Sequence, residues 1–428
     1  MQITPPASVG RDTQSTIYRH GASGRLPAVP TGWAALESAA QRCMSPAAWA
    51  YVAGSSGREA TAEANRSAFD RWRIVPRMLR DVSKRDLGIE LFGHHYPAPV
   101  IAAPVGVLEL VHRDADLAVA RATAELGIPY IFSNQSSRTM EQTAAVMGDA
   151  PRWFQLYWSS SDELVASLLR RAEASGAQAI VITLDTHLLG WRPRDLDLAY
   201  LPFIHGLGIA QYTSDPVFRG LVRDRMAAPS NGPGPRITPS AIRTLVDMTR
   251  NYPGGFLQNL RSGEPRTAVE TFLNVFSRSS LTWPDLALAR QHTSLPIVLK
   301  GIQHPDDAKR AIAAGVDGIV VSNHGGRQLD GAIGSLNALP AIVEAVNGRV
   351  PVLFDSGVRG GSDILKALAL GASAVLVGRP YVYGLAVGGE RGSYEVLRNL
   401  IAEFDLALGL SGHTSVAELG PDSLVTAS

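Results

Sequence analysis

The chain has little of what covalent or metal-based architectures require. It carries one cysteine, Cys43, in 428 residues. A single thiol excludes an intramolecular disulfide framework and any thiolate-rich zinc or iron–sulfur site, and it suits a reducing compartment. Cys43 ends the amphipathic pattern Trp33–Cys43, so it is expected to be a packed thiol. An excess of charge is also missing, since 40 Lys+Arg against 39 Asp+Glu leave a formal net charge of +1. With no global field, neither nucleic acid nor an anionic membrane is an expected partner. No uninterrupted apolar run reaches the ~20 residues of a membrane span. Met1-Gln-Ile-Thr-Pro-Pro6 has no basic stretch leading into an apolar core, so the expectation is a soluble, unexported, cytoplasmic protein.

What is present is a repeat. With 45% hydrophobic and 18% charged residues the chain can bury a large core. Eight short apolar runs that end in polar or glycine residues are separated by amphipathic stretches. The runs are Pro99–Pro104, Ile128–Asn134, Arg152–Trp158, Ala179–Asp185, Pro296–Gly301, Gly318–His324, Val350–Gly357 and Ala374–Pro380. Helical patterns lie at Asp114–Gly127, Asp162–Gly176, Pro305–Gly315 and Ser362–Gly371, several with an acidic or hydroxyl start and a glycine stop. Eight βα units predict an α/β fold of the TIM (β/α)8 barrel type, with the active site at the C-terminal ends of the strands. A doubly wound sheet is the alternative, but no G-x-G-x-x-G follows the first run.

Two segments fall outside the repeat. Residues 1–85 precede the first barrel strand and carry helical patterns at Trp33–Cys43 and Pro46–Ala53, the latter with Ser45 as N-cap. This N-terminal helical extension is expected to cap one end of the barrel and contribute to the site. The barrel itself is assigned to 86–415 and a C-terminal tail to 416–428. Residues 186–281 form a long insertion after strand 4, with a Pro/Gly-rich centre at Ala227–Pro239. Thr282-Trp-Pro-Asp285 then opens the displaced crossover helix. The insertion is expected to be a lid or disordered. Leu196–Val222, with Tyr200, Phe203, Ile204, Tyr212 and Phe218, is expected to pack over the site or against another subunit.

The strand ends carry the chemistry. Run three holds Gln155 and Tyr157; run four ends at Asp185 and leads to Arg192; run five ends at Lys300. Run six gives His324 and Arg327, and run seven gives Asp355 and Arg359. Barrel closure would gather these groups at one end. Two arginines near a histidine suit a carboxylate substrate, because guanidinium binds carboxylate bidentately and keeps its charge. Asp185 can orient His324 and stabilise it once protonated, which makes His324 a candidate base. Asp355-Ser-Gly357-Val-Arg359 opens a helix, and Gly378-Arg379 ends the last run, where such barrels commonly bind phosphate. A phosphorylated substrate and a phosphorylated cofactor both satisfy it. Lys300 adds a charge suited to an anionic reduced ring.

Taken in order, Lys300-Gly-Ile, Ser322-Asn-His-Gly-Gly-Arg-Gln328, Asp355-Ser-Gly-Val-Arg359 and Leu368-Ala-Leu-Gly-Ala372 followed by Gly378-Arg379-Pro380 resemble the FMN-dependent L-2-hydroxy acid oxidases and dehydrogenases. The resemblance covers roughly residues 15–415. Tyr51-Val-Ala-Gly-Ser-Ser-Gly57, Pro76-Arg-Met-Leu79, Phe154-Gln-Leu-Tyr157, Ile182-Thr-Leu-Asp-Thr186 and Gly190-Trp-Arg-Pro-Arg-Asp195 bring it nearest the lactate 2-monooxygenase branch. It implies FMN as cofactor, a small 2-hydroxy acid as substrate, molecular oxygen as acceptor, and a homo-oligomer, tetramer or octamer. Residue by residue, it implies His324 as base with Asp185 as its partner, and Arg192 and Arg327 as the carboxylate clamp. Tyr51 and Tyr157 would contact substrate. Pro104, Val105 and Gly106 would lie along the flavin ring, with Ser133, Gln155, Thr183 and Ser322 near its edge and Lys300 near N1 and O2. Asp355, Gly357, Arg359, Gly378 and Arg379 would hold ribityl and phosphate.

Three outcomes for the electrons stay open: a plain oxidase releasing peroxide, a monooxygenase that decarboxylates the retained keto acid, and a dehydrogenase passing electrons elsewhere. The removal of hydrogen can likewise run through a carbanion or as hydride. Gly106, where relatives often have alanine, is expected to leave room beside the flavin and favours the monooxygenase. Val107-Leu-Glu109-Leu-Val-His112 and Ser133-Asn-Gln135-Ser-Ser-Arg138 depart from a lactate enzyme, so lactate, another short aliphatic acid, a mandelate-like acid and a larger biosynthetic intermediate all remain candidate substrates. His187 and His205 are expected to be loop residues. A different FMN barrel and a barrel that binds without turnover are the rival readings. A nucleotide dehydrogenase would want a catalytic cysteine, for which Cys43 is badly placed.

Overall fold

Each of the eight apolar runs becomes a parallel strand, because helices on the outside and side chains within leave it no wet face. The computed structural model describes residues 8–228 and 238–427. In chain order the barrel strands are β1 (Val100–Ala102), β2 (Tyr130–Phe132), β3 (Arg152–Tyr157), β4 (Ile180–Thr183), β5 (Ile297–Ile302), β6 (Gly318–Val321), β7 (Val352–Phe354) and β8 (Ala374–Val377). Neighbours in sequence are neighbours in the sheet, and β8 closes on β1 through Val375↔Val100, Leu376↔Ile101 and Val377↔Ala102. This is the expected TIM barrel.

Alternation along the strands builds two cores. Ile101, Ile131, Trp153, Val181, Val298, Val320, Leu353 and Leu376 point into the barrel and are completely or almost completely buried. Each aliphatic side chain so buried stabilises the fold by roughly 1.5–3 kcal/mol. The N-terminal end is plugged by the hairpin Ile89–Leu91 and His94–Tyr96, whose Tyr96 hydroxyl accepts from Trp153 Nε1 at 3.3 Å and donates to Gln178 at 2.9 Å. The mouth at the opposite end is left for chemistry.

The extension consists of helices Val9–Ala22, Trp33–Cys43, Pro46–Ala53 and Ala60–Asp70. Ser45 caps the third, its hydroxyl accepting from Ala48 N at 3.2 Å. Cys43 is exposed, contrary to expectation. Leu36, Ala39 and Ala40 form the buried face of that helix, and the following Met44 takes the next core position as the chain turns off. In the C-terminal tail, Leu424–Thr426 pairs antiparallel with Trp72–Ile74 of the extension.

The described part of the insertion is not disordered. It folds into short helices at Pro193–Asp197, Ala210–Thr213, Pro216–Ala227, Pro239–Asn251, Phe256–Ser262 and Glu264–Val275. Tyr212, Phe218 and Phe272 are fully buried at their junction, so the segment has an aromatic core of its own. Most of the Pro/Gly-rich stretch noted at its centre lies outside the described residues. Thr282 and Asp285 form the capping box that starts helix Leu286–His292.

Candidate active site

At the mouth of the barrel six of the eight observed strands stop two or three residues short of the expected runs, because those last residues turn to line it, whereas β3 stops one short and β5 runs one residue beyond. One cavity there is lined by Tyr51, Pro104, Val105, Gly106, Tyr157, Arg192, Lys300, His324, Arg327, Asp355, Gly357, Arg359, Gly378 and Arg379. Ser133, Gln155, Thr183, Asp185 and Ser322 lie just behind it, at or beside the ends of β2, β3, β4 and β6. The candidate site residues read from the strand ends and the resemblance thus converge on one end of the barrel.

His324 sits in a short turn after β6 with φ of +58°, a conformation uncommon for a side-chain-bearing residue and worth noting at a site. Its Nδ1 is 2.8 Å from Asp185 Oδ1. Burial would raise the Asp185 carboxyl, but His324 and Lys300 beside it hold it below the usual carboxylate range. Burial lowers His324, and the charges of Lys300 and Arg192 lower it further, against the raising effect of Asp185. At neutral pH the pair is therefore carboxylate and neutral imidazole. Asp185, as acceptor, fixes the proton on Nδ1 and leaves the Nε2 lone pair free.

Lys300 lies beside this pair. It ends the regular part of β5 at a bulge, where Gly301 has φ of +109° and a Cβ would fall 3.1 Å from Asp185 Cβ. Only glycine lets Asp185 lie that close to the strand. Lys300 Nζ donates to Ser322 Oγ at 2.9 Å and pairs with Asp355 Oδ2 at 3.1 Å. Burial alone would lower this ammonium, yet Asp355 and Asp185 raise it, so it is firmly charged.

The arginines differ from Lys300 in having no carboxylate of their own among the described residues. Arg192 is 8% exposed and donates to Arg327 O at 3.1 Å and Gln328 Oε1 at 3.0 Å. Arg327 donates to the carbonyls of Tyr51 and Gly54 and lies 5.1 Å from the Tyr51 ring centroid. Burial and the facing Arg192 push it down to about 9, which still leaves it charged at neutral pH. Two uncompensated guanidiniums beside a neutral imidazole form a receptor for a small anion. Tyr157 is raised, by burial and then by Asp185, and stays protonated.

Around β7 and β8 the cations are arranged differently. Arg359 stacks 4.5 Å from the Trp33 ring centroid and makes no ion pair among the described residues. Arg379 donates to Val52 O, Gly325 O, Gly54 O and Ser55 Oγ, so it straps the extension to the β6 turn more than it waits for an anion. Arg66, which the sequence did not single out, also lines the cavity and donates to Gly357 O and Asp363. It comes from the extension, and no local motif marks it. Asn65 of the same helix forms a reciprocal amide pair with Asn323, at 2.8 and 2.7 Å, which fixes the helix to the His324 turn.

The inner wall carries unmet hydrogen-bonding groups. Gln155 Nε2 and Thr183 Oγ1 are buried without a partner among the described residues, although Gln155 Oε1 accepts from Asn134 N at 3.2 Å. Orphaned buried polar groups are costly unless a ligand completes them. A flat ring with polar edges satisfies these atoms, and Arg66, Arg359 and the β7 and β8 turns suit a phosphate on the same ligand. The donor set fits FMN. His187 is an exposed loop residue, and His205 pairs with Asp247 at 3.0 Å. Among the described residues no cluster of His, Cys, Asp and Glu could hold a metal, and no helix is long and apolar enough to cross a membrane.

Comparison with known proteins agrees with this geometry. Residues 40–426 match the FMN-dependent dehydrogenase family. An FMN-dependent alpha-hydroxy acid dehydrogenase of Penicillium citrinum is 43% identical over 421 residues, 98% of this chain and 96% of that protein. An L-lactate oxidase of Lysinibacillus sphaericus is 43% identical over 396 residues, 92% of this chain and 93% of that protein. A crystal structure of mandelate oxidase with (S)-4-hydroxymandelic acid superposes with a TM-score of 0.76 at 37% identity, covering 93% of this chain and 99% of that one. A TIM barrel whose mouth joins a His–Asp pair, the two arginines Arg192 and Arg327 and the donor set for a flavin therefore belongs to the FMN-dependent dehydrogenase family, as an FMN-dependent 2-hydroxy acid oxidoreductase.

Proposed function

We propose that the protein oxidises an L-2-hydroxy acid to the 2-keto acid with molecular oxygen as acceptor. The observation that carries this reading is the placement of the His324–Asp185 pair, 2.8 Å apart, beside Arg192 and Arg327. The two guanidiniums hold the substrate carboxylate and so orient the adjacent Cα. Tyr51 and Tyr157, which both line the cavity, contact the bound acid. His324 Nε2 accepts a proton as the substrate is oxidised, and Asp185 stabilises the imidazolium that results. FMN, when bound, supplies the two-electron acceptor and returns the electrons to oxygen. Pro104, Val105, Gly106, Ser133, Gln155, Thr183, Lys300 and Ser322 would surround its ring. Asp355, Gly357, Arg359, Gly378 and Arg379, with Arg66, would surround its ribityl and phosphate.

A second outcome, oxidative decarboxylation of the retained keto acid as in lactate 2-monooxygenase, draws support from the insertion, whose packed wall borders the cavity and would slow product escape. The argument from Gly106 does not help it. A Cβ there would lie 3.1 Å from both Cβ and the carbonyl of Gln135, so the space is bounded by Gln135. Association of copies near the mouth is supported by the exposed Trp191 and Leu329, at 73% and 70%. The deciding experiment supplies a panel of L-2-hydroxy acids under air and quantifies keto acid, peroxide and carbon dioxide. Keto acid with equimolar peroxide supports the oxidase, and carbon dioxide with the shortened acid supports the monooxygenase. No consumption of any acid contradicts both.

A further inference from the structure

The catalytic groups account for one side of the cavity. The insertion, besides Arg192, supplies an apolar part of the lining whose composition nothing in the oxidation itself explains. Phe203 and Phe276 line the cavity there, with Leu188, Leu189 and Val105. Phe203 is 4% exposed and packs on Phe272 at 5.1 Å between centroids, while Phe276 stacks on Phe272 at 5.2 Å. These rings belong to the insertion's own core, so the wall is preformed. A methyl side chain, such as that of lactate, leaves most of it wet. An aryl or branched alkyl group covers it, at roughly 25 cal/mol per Å2 of apolar surface removed from water.

Gln135 and Thr186 are polar members of this lining. Gln135 follows β2, and its backbone is held on both sides: its N–H donates to Ser133 Oγ at 3.1 Å and its carbonyl accepts from Val107 N at 2.9 Å. Gly106 packs against it as described, and the insertion closes from above through Gly208, with φ of +70°. A Cβ on Gly208 would lie 3.1 Å from the Gln135 carbonyl and 2.6 Å from Val107 Cγ2. Glu109 accepts from Gly208 N at 3.2 Å and fixes the contact. The Gln135 carboxamide itself faces the cavity and makes no hydrogen bond with any described residue. The hydroxyl of Thr186 is also without a partner among the described residues, but it lies out of solvent contact. A rigid backbone thus presents one free donor–acceptor group within an apolar wall.

We propose that the substrates are 2-hydroxy acids with a bulky apolar side chain that bears a hydrogen-bonding substituent, and that Gln135 reads the substituent. The proposal rests on the oxidase reading above. Phe203 and Phe276 enclose the body of the side chain, and the carboxamide pairs with a hydroxyl or amide on it. A neutral hydrogen bond of this kind is worth roughly a 3- to 10-fold preference.

The test compares L-lactate, (S)-mandelate and its 3- and 4-hydroxy analogues as substrates for the FMN-loaded wild type and the Gln135→Met variant. It reads kcat/KM together with anaerobic bleaching of the flavin. The expected result is that mandelate exceeds lactate by about tenfold or more, and that at least one hydroxylated analogue exceeds mandelate by about 3- to 10-fold. In Gln135→Met the second ratio collapses to about 1 while the first persists. Lactate turning over as well as the aryl acids overturns the proposal, and so does an equal loss on mandelate and its hydroxylated analogues in Gln135→Met. Bleaching by lactate alone sinks this inference and leaves the oxidase reading intact, whereas bleaching by none of the acids sinks the oxidase reading.

Discussion

The barrel rim and the insertion divide the cavity between two kinds of surface. On the rim, joined by Arg192 from the first turn of the insertion, lie buried charges: a carboxylate and imidazole 2.8 Å apart, a lysine paired with Asp355 at 3.1 Å, and two guanidiniums that have no carboxylate partner among the described residues. On the insertion side lie Phe203, Phe276, Leu188 and Leu189. Charge at the rim can bind and activate the part shared by every 2-hydroxy acid, its carboxylate and hydroxyl. Shape on the insertion side can act only on the part that varies. The difference implies that chemistry and selectivity are separable by mutation, and each prediction below tests that separation.

The largest effect is expected at the base. His324→Ala should lower kcat/KM by roughly 10²–10⁴-fold for every acid tested while FMN content is unchanged, measured by oxygen uptake and flavin absorbance. Next is the clamp. Arg327→Met leaves Arg192 alone with the carboxylate, and removing one partner of a buried charge pair costs about 2–5 kcal/mol. That corresponds to a fall of roughly 30-fold or more in kcat/KM, and inhibition by carboxylate analogues should weaken in parallel. An effect confined to one acid would contradict the division of labour.

Asp185→Asn should slow turnover, because the imidazolium loses its counter-charge. It should also shift the pH profile. His324 already lies below 6.5 because of its burial, and Asp185 is the group that raises it. Wild-type kcat/KM should therefore be flat near neutrality and fall as pH drops through that lowered value, where the base becomes protonated. In Asp185→Asn the acid limb should move to still lower pH. A limb that moves upward would show that Asp185 does not face His324 as a carboxylate. The smallest effect on rate is expected on the insertion side: Phe203→Ala should change the ratio of kcat/KM between aryl and methyl acids by about tenfold, with flavin content and the pH limb unaltered.

How far the molecule could be read from its sequence follows the same division. The rim is written in the repeat: eight apolar runs end in the residues that line the mouth, and closure of the barrel leaves them few other places to go. Asp185 and His324, 139 positions apart, are paired by that closure alone. The insertion follows no repeat, and its aromatic residues could equally have met another subunit. Phe203 and Phe276 reach the cavity only because Phe272 and Tyr212 pack behind them. Arg66 escaped notice for a related reason, since a helix of the extension docks over Gly357 through tertiary contacts with no local signature. Cys43 was misplaced because the last residue of a helix need not follow the face of those before it.

Single-turnover reduction of the flavin without oxygen tests the account most directly, with wild type, His324→Ala and Phe203→Ala compared on lactate and mandelate. The account predicts that His324→Ala slows reduction by roughly 10²-fold or more with both acids, and that Phe203→Ala mainly alters their ratio. Near-normal reduction in His324→Ala, or an equal slowing of both acids in Phe203→Ala, would contradict it.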